Sequence, residues 1–207
     1  MQVRRGKRVL MKIAFVVWAG ALFITATSLS AAHFYAQPAP DSKDAALERA
    51  LDSLRSTNDA KRWLAVHVLY AQCRCSRRIL QHLATSPRPG QVREKLLLVG
   101  WNEELAPTLR QIAARGFEIT RTTPAELRDR FHVEAAPLLL VVEPQGTVRY
   151  AGGYTERKQG PNPLDREIIT KLIAHRAADP LPPFGCAVSK ELQEILDPLA
   201  LRALRDE

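Results

Sequence analysis

Apolar and polar positions along this chain fall into runs of distinct length, and their order predicts its organisation. Ile13 to Ala32 holds no charged residue, and about twenty apolar residues in a helix cross the hydrocarbon core of a bilayer. Gln37-Pro38-Ala39-Pro40-Asp41-Ser42 follows, a proline-spaced polar stretch that suits a short stiff linker. From Asp44 to Leu54 the residues Ala46, Leu47, Leu51 and Leu54 recur at helical spacing, ahead of the polar break Ser56-Thr57-Asn58-Asp59. Leu64-Ala65-Val66-His67-Val68-Leu69-Tyr70 then has the length and composition of a buried strand. It leads through Ala71-Gln72-Cys73-Arg74-Cys75-Ser76 into a helical pattern that reaches Leu83.

After the loop signal Ser86-Pro87-Arg88-Pro89-Gly90, Lys95-Leu96-Leu97-Leu98-Val99 predicts a strand covered on both faces. Asn102, followed by Glu103 and Glu104, suits the cap of a helix that stops at Gly116. Phe117 to Thr120 reads as a short strand, and Thr123-Pro124-Ala125-Glu126 combines a cap, a first-turn proline and a glutamate at the third position. Helix and strand alternate up to this point, which argues for a parallel sheet with helices on its faces. Beyond Pro137 the pattern changes. Leu138 to Val142, the turn Glu143-Pro144-Gln145-Gly146, and Thr147 to Gly152 predict an antiparallel hairpin. Asn162-Pro163-Leu164-Asp165 opens a closing helix to about His175, and Pro180 to Cys186 is extended. A last helix is expected from Ala187 to Leu196, with Val188, Leu192, Ile195 and Leu196 as an apolar face for core packing.

Composition and charge narrow the class. A chain of 207 residues, 46% hydrophobic, can bury one ordinary core. The net charge of +8 suggests nucleic acid until its distribution is followed. Arg4, Arg5, Lys7, Arg8 and Lys12 precede the uncharged run with no acidic residue among them, so the rest of the chain carries only +3, and no basic run is interleaved with aromatics. The excess therefore orients a membrane segment. Small residues at Ser28, Ser30, Ala31 and Ala32 would permit signal cleavage, but so long an apolar stretch, containing Trp18, reads as a retained anchor with Phe34 and Tyr35 at its outer interface. The positive-inside rule then places the domain after residue 33 on the periplasmic side of an inner membrane.

Three cysteines, Cys73, Cys75 and Cys186, are too few and odd in number for a disulfide scaffold. Two thiols one residue apart at a strand-to-helix junction point to thiol exchange or to metal binding. A helix N-terminus stabilises a thiolate, and Arg74 adds positive charge, so an exposed, ionised Cys73 is expected. Cys186, after Phe184-Gly185, stands before the last predicted helix in a similar position.

The stretch from Val133 to Val148, with Pro137 ahead of an apolar strand, a Gly turn and a second strand, resembles the second half of thioredoxin-fold proteins. The likeness extends from Leu64 to His175. It implies an α/β fold with a central mixed sheet and helices on both faces, spanning residues 45–178, after an anchor in 1–36 and a linker in 37–44, and before a C-terminal extension in 179–207. It also implies a cis Pro137 beside the helix start bearing Cys73, with the backbone of Ala136 offering hydrogen bonds to an extended substrate. The activity implied is thiol-disulfide exchange, without a cofactor, on the thiols or disulfides of exported proteins.

The departures are equally informative. The family's usual Cys-x-x-Cys spacing is absent, because Ser76 or Arg78 stands where a resolving thiol belongs. Residues two apart on a helix point about 200° apart, so Cys73 and Cys75 can bridge only where the helix is unwound. The strand before the thiols has no carboxylate, and His67 is its only titratable group. Cys73 is thus the expected attacking thiol, with Cys75 or Cys186 resolving, unless Cys186 pairs permanently as a staple. Arg74 is a candidate for substrate binding, whereas Arg77 and Arg78 are expected to face solvent, the alternative being that they hold an anionic substrate. Two other classes compete: a copper-binding assembly factor using Cys73, Cys75 and His132, with His82 as a further candidate, and a non-catalytic binding module.

Overall fold

The computed structural model describes residues 2–34, 36–56, 59, 61–158 and 160–196, with side chains described from residue 11 and not for 28–34. Two units separate near Tyr35. The first is one helix, α1 (Gln2–Phe34), on which Phe15, Val16, Val17, Trp18, Phe23 and Ile24 are exposed. The expected helix over Ile13 to Ala32 is therefore present. Among the described residues, however, no helix is long and apolar enough to cross a membrane, so the transmembrane reading gains no support from the structure. The residues expected to permit cleavage or mark the interface, Ser28, Ser30, Ala31, Ala32, Phe34 and Tyr35, lie outside the described side chains, as do Thr57 and Asn58 of the polar break.

The second unit begins with α2 (Ala45–Asp52), whose start is capped by Asp44 accepting from the N–H of Ala46 at 2.8 Å. It continues through β1 (Trp63–Tyr70), α3 (Arg74–Thr85), β2 (Val92–Val99), a 3-10 turn at Glu103–Leu105, α4 (Ala106–Ala114), β3 (Glu118–Thr122) and α5 (Pro124–Phe131). Then come β4 (Ala135–Ala136), β5 (Leu138–Val142), β6 (Val148–Gly152), α6 (Asp165–Ile173), β7 (Cys186–Ala187) and α7 (Lys190–Leu196). The main sheet runs β3-β2-β1-β5-β6. Strands β1, β2 and β3 are parallel, and the hairpin β5–β6 adds on antiparallel, with Val68 opposite Leu138 and Leu64 opposite Val142.

Strand β1 is central and covered on both faces, which is why it reads as an almost unbroken apolar run. Successive side chains point to opposite faces. Ala65 and Leu69 meet Ile79, Leu80 and Leu83 of α3, together with residues of α4 and α6, on one side. Leu64, Val66 and Val68 meet Leu47, Leu51, Leu127 and Phe131 of α2 and α5 on the other. This strand order, with three parallel strands extended by an antiparallel hairpin behind Pro137, is a thioredoxin-like fold.

Several boundaries differ from expectation: β2 already begins at Val92, and the closing helix ends at Ile173. β3 runs to Thr122, because its ladder with β2 continues until Val99 meets Thr122. The last helix starts at Lys190 instead of Ala187, because Cys186 and Ala187 pair as a strand with Ala136 and Ala135. Its expected apolar face is only partly used: Val188 and Leu192 are buried, whereas Ile195 is 75% exposed.

Candidate active site

The end of β1 and the start of α3 are fastened by short-range hydrogen bonds. The N–H of Cys73 donates to the carbonyl of Tyr70 at 3.0 Å, and that of Ala71 to Val99 at 2.9 Å. Ser76 is wholly buried and its Oγ accepts from the N–H of Tyr70 at 3.1 Å. Arg77 Nε donates to the carbonyl of Ala71 at 2.9 Å. Ser76 thus occupies the place of a resolving thiol as a fastener of the strand-to-helix turn.

Cys73 is the N-cap of α3, with extended backbone at φ −83° and ψ 121°. It stands outside the helix, so the angular separation of helical residues does not apply to it, and its side chain reaches the thiol of Cys75. The side chain of Cys186 reaches it as well. The three thiols are therefore gathered around Cys73, and none is in a disulfide. The S–H groups of Cys186 and Cys75 donate towards Cys73 and hold its pKa well below the usual thiol range; burial opposes this, and the backbone amides of Ser76 and Cys75 assist it. Cys75 is pushed the other way, above the usual range, by donating to Cys73, by burial and by the negative charge on Cys73; Lys158 and Arg78 oppose this with their positive charge.

Exposure is where expectation fails. Cys73 is only 1% exposed, and the segment carrying Cys186 is paired with its neighbour Ala136. Cys75 is half-buried and lines an open groove of about 650 Å³ with Arg74, Arg78, Pro137, Tyr154 and Phe184. Cys73 Sγ lies 3.7 Å from the carbonyl oxygen of Ala136, and the Ala136–Pro137 peptide bond is cis. The backbone of Ala136, expected to receive an extended substrate, is instead paired with Cys186 of the same chain.

His132 is not gathered into this site. It ends α5 in a left-handed conformation, φ 52°, and its Nδ1 bonds Asp44. His82 bonds Asp165 at 2.7 Å and Ser86 at 2.9 Å. Among the described residues, no group of three or more His, Cys, Asp or Glu side chains is placed to hold a metal ion.

A buried polar chain beneath the site is absent from the sequence reading. His67, fully buried, meets the hydroxyl of Tyr154 at 2.8 Å through Nδ1, while its Nε2 lies 3.7 Å from Glu94. Arg88 clamps Glu94 through two oxygens, at 2.8 and 3.0 Å from Nε, and reaches Asp165 at 2.5 Å through Nη1. Burial alone would raise both carboxyls; the neighbouring His67 and Arg88 at Glu94, and His82 and Arg88 at Asp165, outweigh it and hold both below the usual carboxylate range. Burial pushes the Tyr154 phenol well up. β1 carries no carboxylate, and the buried one beside His67 belongs to β2. The available signal was register parity: Glu94 shares a strand face with Leu96 and Leu98, which pack on the His67 side of the sheet.

No family model matches the sequence, and no curated protein matches it. Solved structures do resemble the chain. A hypothetical protein of Sinorhizobium meliloti 1021 is 13% identical with a TM-score of 0.49, over 63% of this chain and 80% of that one. An uncharacterized conserved protein of Geobacillus kaustophilus is 16% identical with a TM-score of 0.47, over 64% and 80%. The thioredoxin domain of a thiol-disulfide oxidoreductase of Bacteroides vulgatus is 16% identical with a TM-score of 0.33, over 45% and 72%.

Proposed function

We propose that this chain is a membrane-anchored, extracytoplasmic thiol-disulfide oxidoreductase, held by residues 13–32 and acting on exported proteins, with Cys73 as its nucleophile. The observation that carries this reading is the gathering of three thiols at one helix start, with the capping thiol Cys73 as the acidic one. The Cys73 thiolate attacks a substrate disulfide; a new S–S bond forms, and one substrate sulfur leaves as a thiolate. A second thiolate of the chain, from Cys75 or Cys186, then attacks Cys73 Sγ and releases the other substrate sulfur. Two thiols of this chain become one disulfide, one substrate disulfide becomes two thiols, and the two protons given up by the chain's thiols are taken by the substrate's leaving thiolates. With substrate thiols the same steps run backwards.

The test is reduction of insulin disulfides by the reduced full-length protein, compared with Cys73→Ser and Cys75→Ser variants. Loss of activity in Cys73→Ser, with circular dichroism unchanged, is the expected outcome. Equal activity in that variant would end the assignment of Cys73, and no activity in the unaltered chain would end the proposal itself.

A further inference from the structure

We infer that Leu181 to Ser189 is a tethered peptide docked in the protein's own substrate groove, with Cys186 in the place of a substrate cysteine, so that an external protein reaches Cys73 only when this segment lifts. The inference rests on the thiol-exchange reading above and adds who competes for its site. An extended peptide that presents a cysteine to Cys73 needs a backbone edge beside that thiol, since main-chain pairing is what holds an added strand. The edge there is Ala135–Ala136, within 3.7 Å of Cys73 Sγ, and it is filled antiparallel by Ala187 and Cys186.

The fit is specific. A Cβ on Gly185 would lie 1.9 Å from the Ala136 carbonyl oxygen and 2.6 Å from Cδ of Pro137, so only glycine permits this approach. Gly153 is matched in the same way, its Cβ position lying 2.3 Å from the Pro182 carbonyl oxygen. Upstream, the N–H of Gly153 donates to Leu181 at 2.7 Å and the N–H of Leu181 to the Tyr150 hydroxyl at 3.1 Å. Downstream, the N–H of Val188 donates to the Glu134 carbonyl at 2.6 Å, and Ser189 Oγ bonds the Glu134 carboxylate at 2.8 Å.

Among the described residues, the anchorage beyond is slight. α7 buries Leu192 and leaves Ile195 in solvent, and its ion pair from Glu191 to Arg128 is exposed. Such an edge opens at lower cost than the central sheet. When the segment redocks against a mixed disulfide on Cys73, the Cys186 thiolate attacks Cys73 Sγ. The Cys73–Cys186 bond forms, the mixed disulfide breaks, and the substrate leaves as a thiolate that takes a proton. Competitor and resolving thiol are thus one element.

The experiment measures labelling of Cys73 by a bulky polyethylene-glycol maleimide in the reduced full-length chain, read by peptide mass mapping, for the unaltered protein and Gly185→Ala. Because the added methyl must displace the segment, labelling is expected to speed up about tenfold or more. Ser189→Ala, which removes the Glu134 contact and the bond that starts α7, is the gentler second variant and should move the rate in the same direction. Unchanged rates in both folded variants overturn the inference. Faster labelling in Gly185→Ala without any insulin reduction would leave the docked segment standing and remove the enzyme. Equal labelling and equal reduction in both proteins would leave the enzyme and remove the docked segment. Mapping of the unreduced chain should find Cys73 joined to Cys186; a bond from Cys73 to Cys75 alone would overturn the resolving role.

Discussion

Replacing Arg88 by methionine should destabilise the protein severely and in a pH-dependent way. The guanidinium is only 8% exposed and bridges Glu94 and Asp165, whose side chains are 6% and 0% exposed. Methionine keeps much of the volume and removes the charge, leaving two carboxylates in a dry interior with only His67 and His82 beside them. Breaking a buried pair by deleting one partner costs about 3–5 kcal/mol. With a urea slope of about 2 kcal/mol/M, the unfolding midpoint should fall by about 2 M at pH 7. In the unaltered protein both carboxyls titrate below their unfolded values. Their contribution is complete above an unfolded pKa of about 4 and is lost as pH falls through the lower folded value. In the variant burial dominates, and the folded pKa of at least one carboxyl rises above the unfolded one. That part of its stability is present at low pH and lost as pH rises. The gap between the two proteins should therefore be widest at neutral pH and should narrow towards an acidity of about pH 4. Urea titrations at both pH values test this. A loss below about 1 kcal/mol at pH 7, the range of an exposed pair, or a gap independent of pH would refute the buried clamp.

Two further substitutions probe the scaffold around the thiols. Tyr154→Phe leaves His67 sealed in the core with neither ring nitrogen hydrogen-bonded, since Nε2 has no such partner already. It should cost about 1–3 kcal/mol in chemical denaturation. Ser76→Ala removes the buried hydroxyl that receives the Tyr70 N–H and should cost about 1 kcal/mol, read as a lower thermal midpoint. No loss in Tyr154→Phe would mean that the buried His67 does not depend on that hydroxyl, and no loss in Ser76→Ala that its bond does not hold the strand-to-helix turn.

The order of elements was legible because each carries its own local signal. Apolar runs marked β1, β2 and β5, the Thr123-Pro124 start marked α5, and the Gly146 turn marked the hairpin. The place of Cys73 at a helix start was legible for the same reason. Arg88 was hidden because a residue between two prolines reads as loop, and nothing local says that a loop arginine will be drawn under the sheet to two carboxylates 6 and 77 residues away.

The amino-acid pattern alone determined a mixed α/β layer structure and a pair of thiols at the junction of a strand and a helix, since periodicity and capping act within a few residues. Only the tertiary structure decided that Cys186 comes to Cys73, that Cys73 is covered instead of open, and that Ala136 already has a partner. A two-residue strand has no periodicity to read. Cys186–Ala187 is a strand because Ala135–Ala136 lies beside it, some fifty residues away in the chain, with glycine at 185 to let the two backbones close.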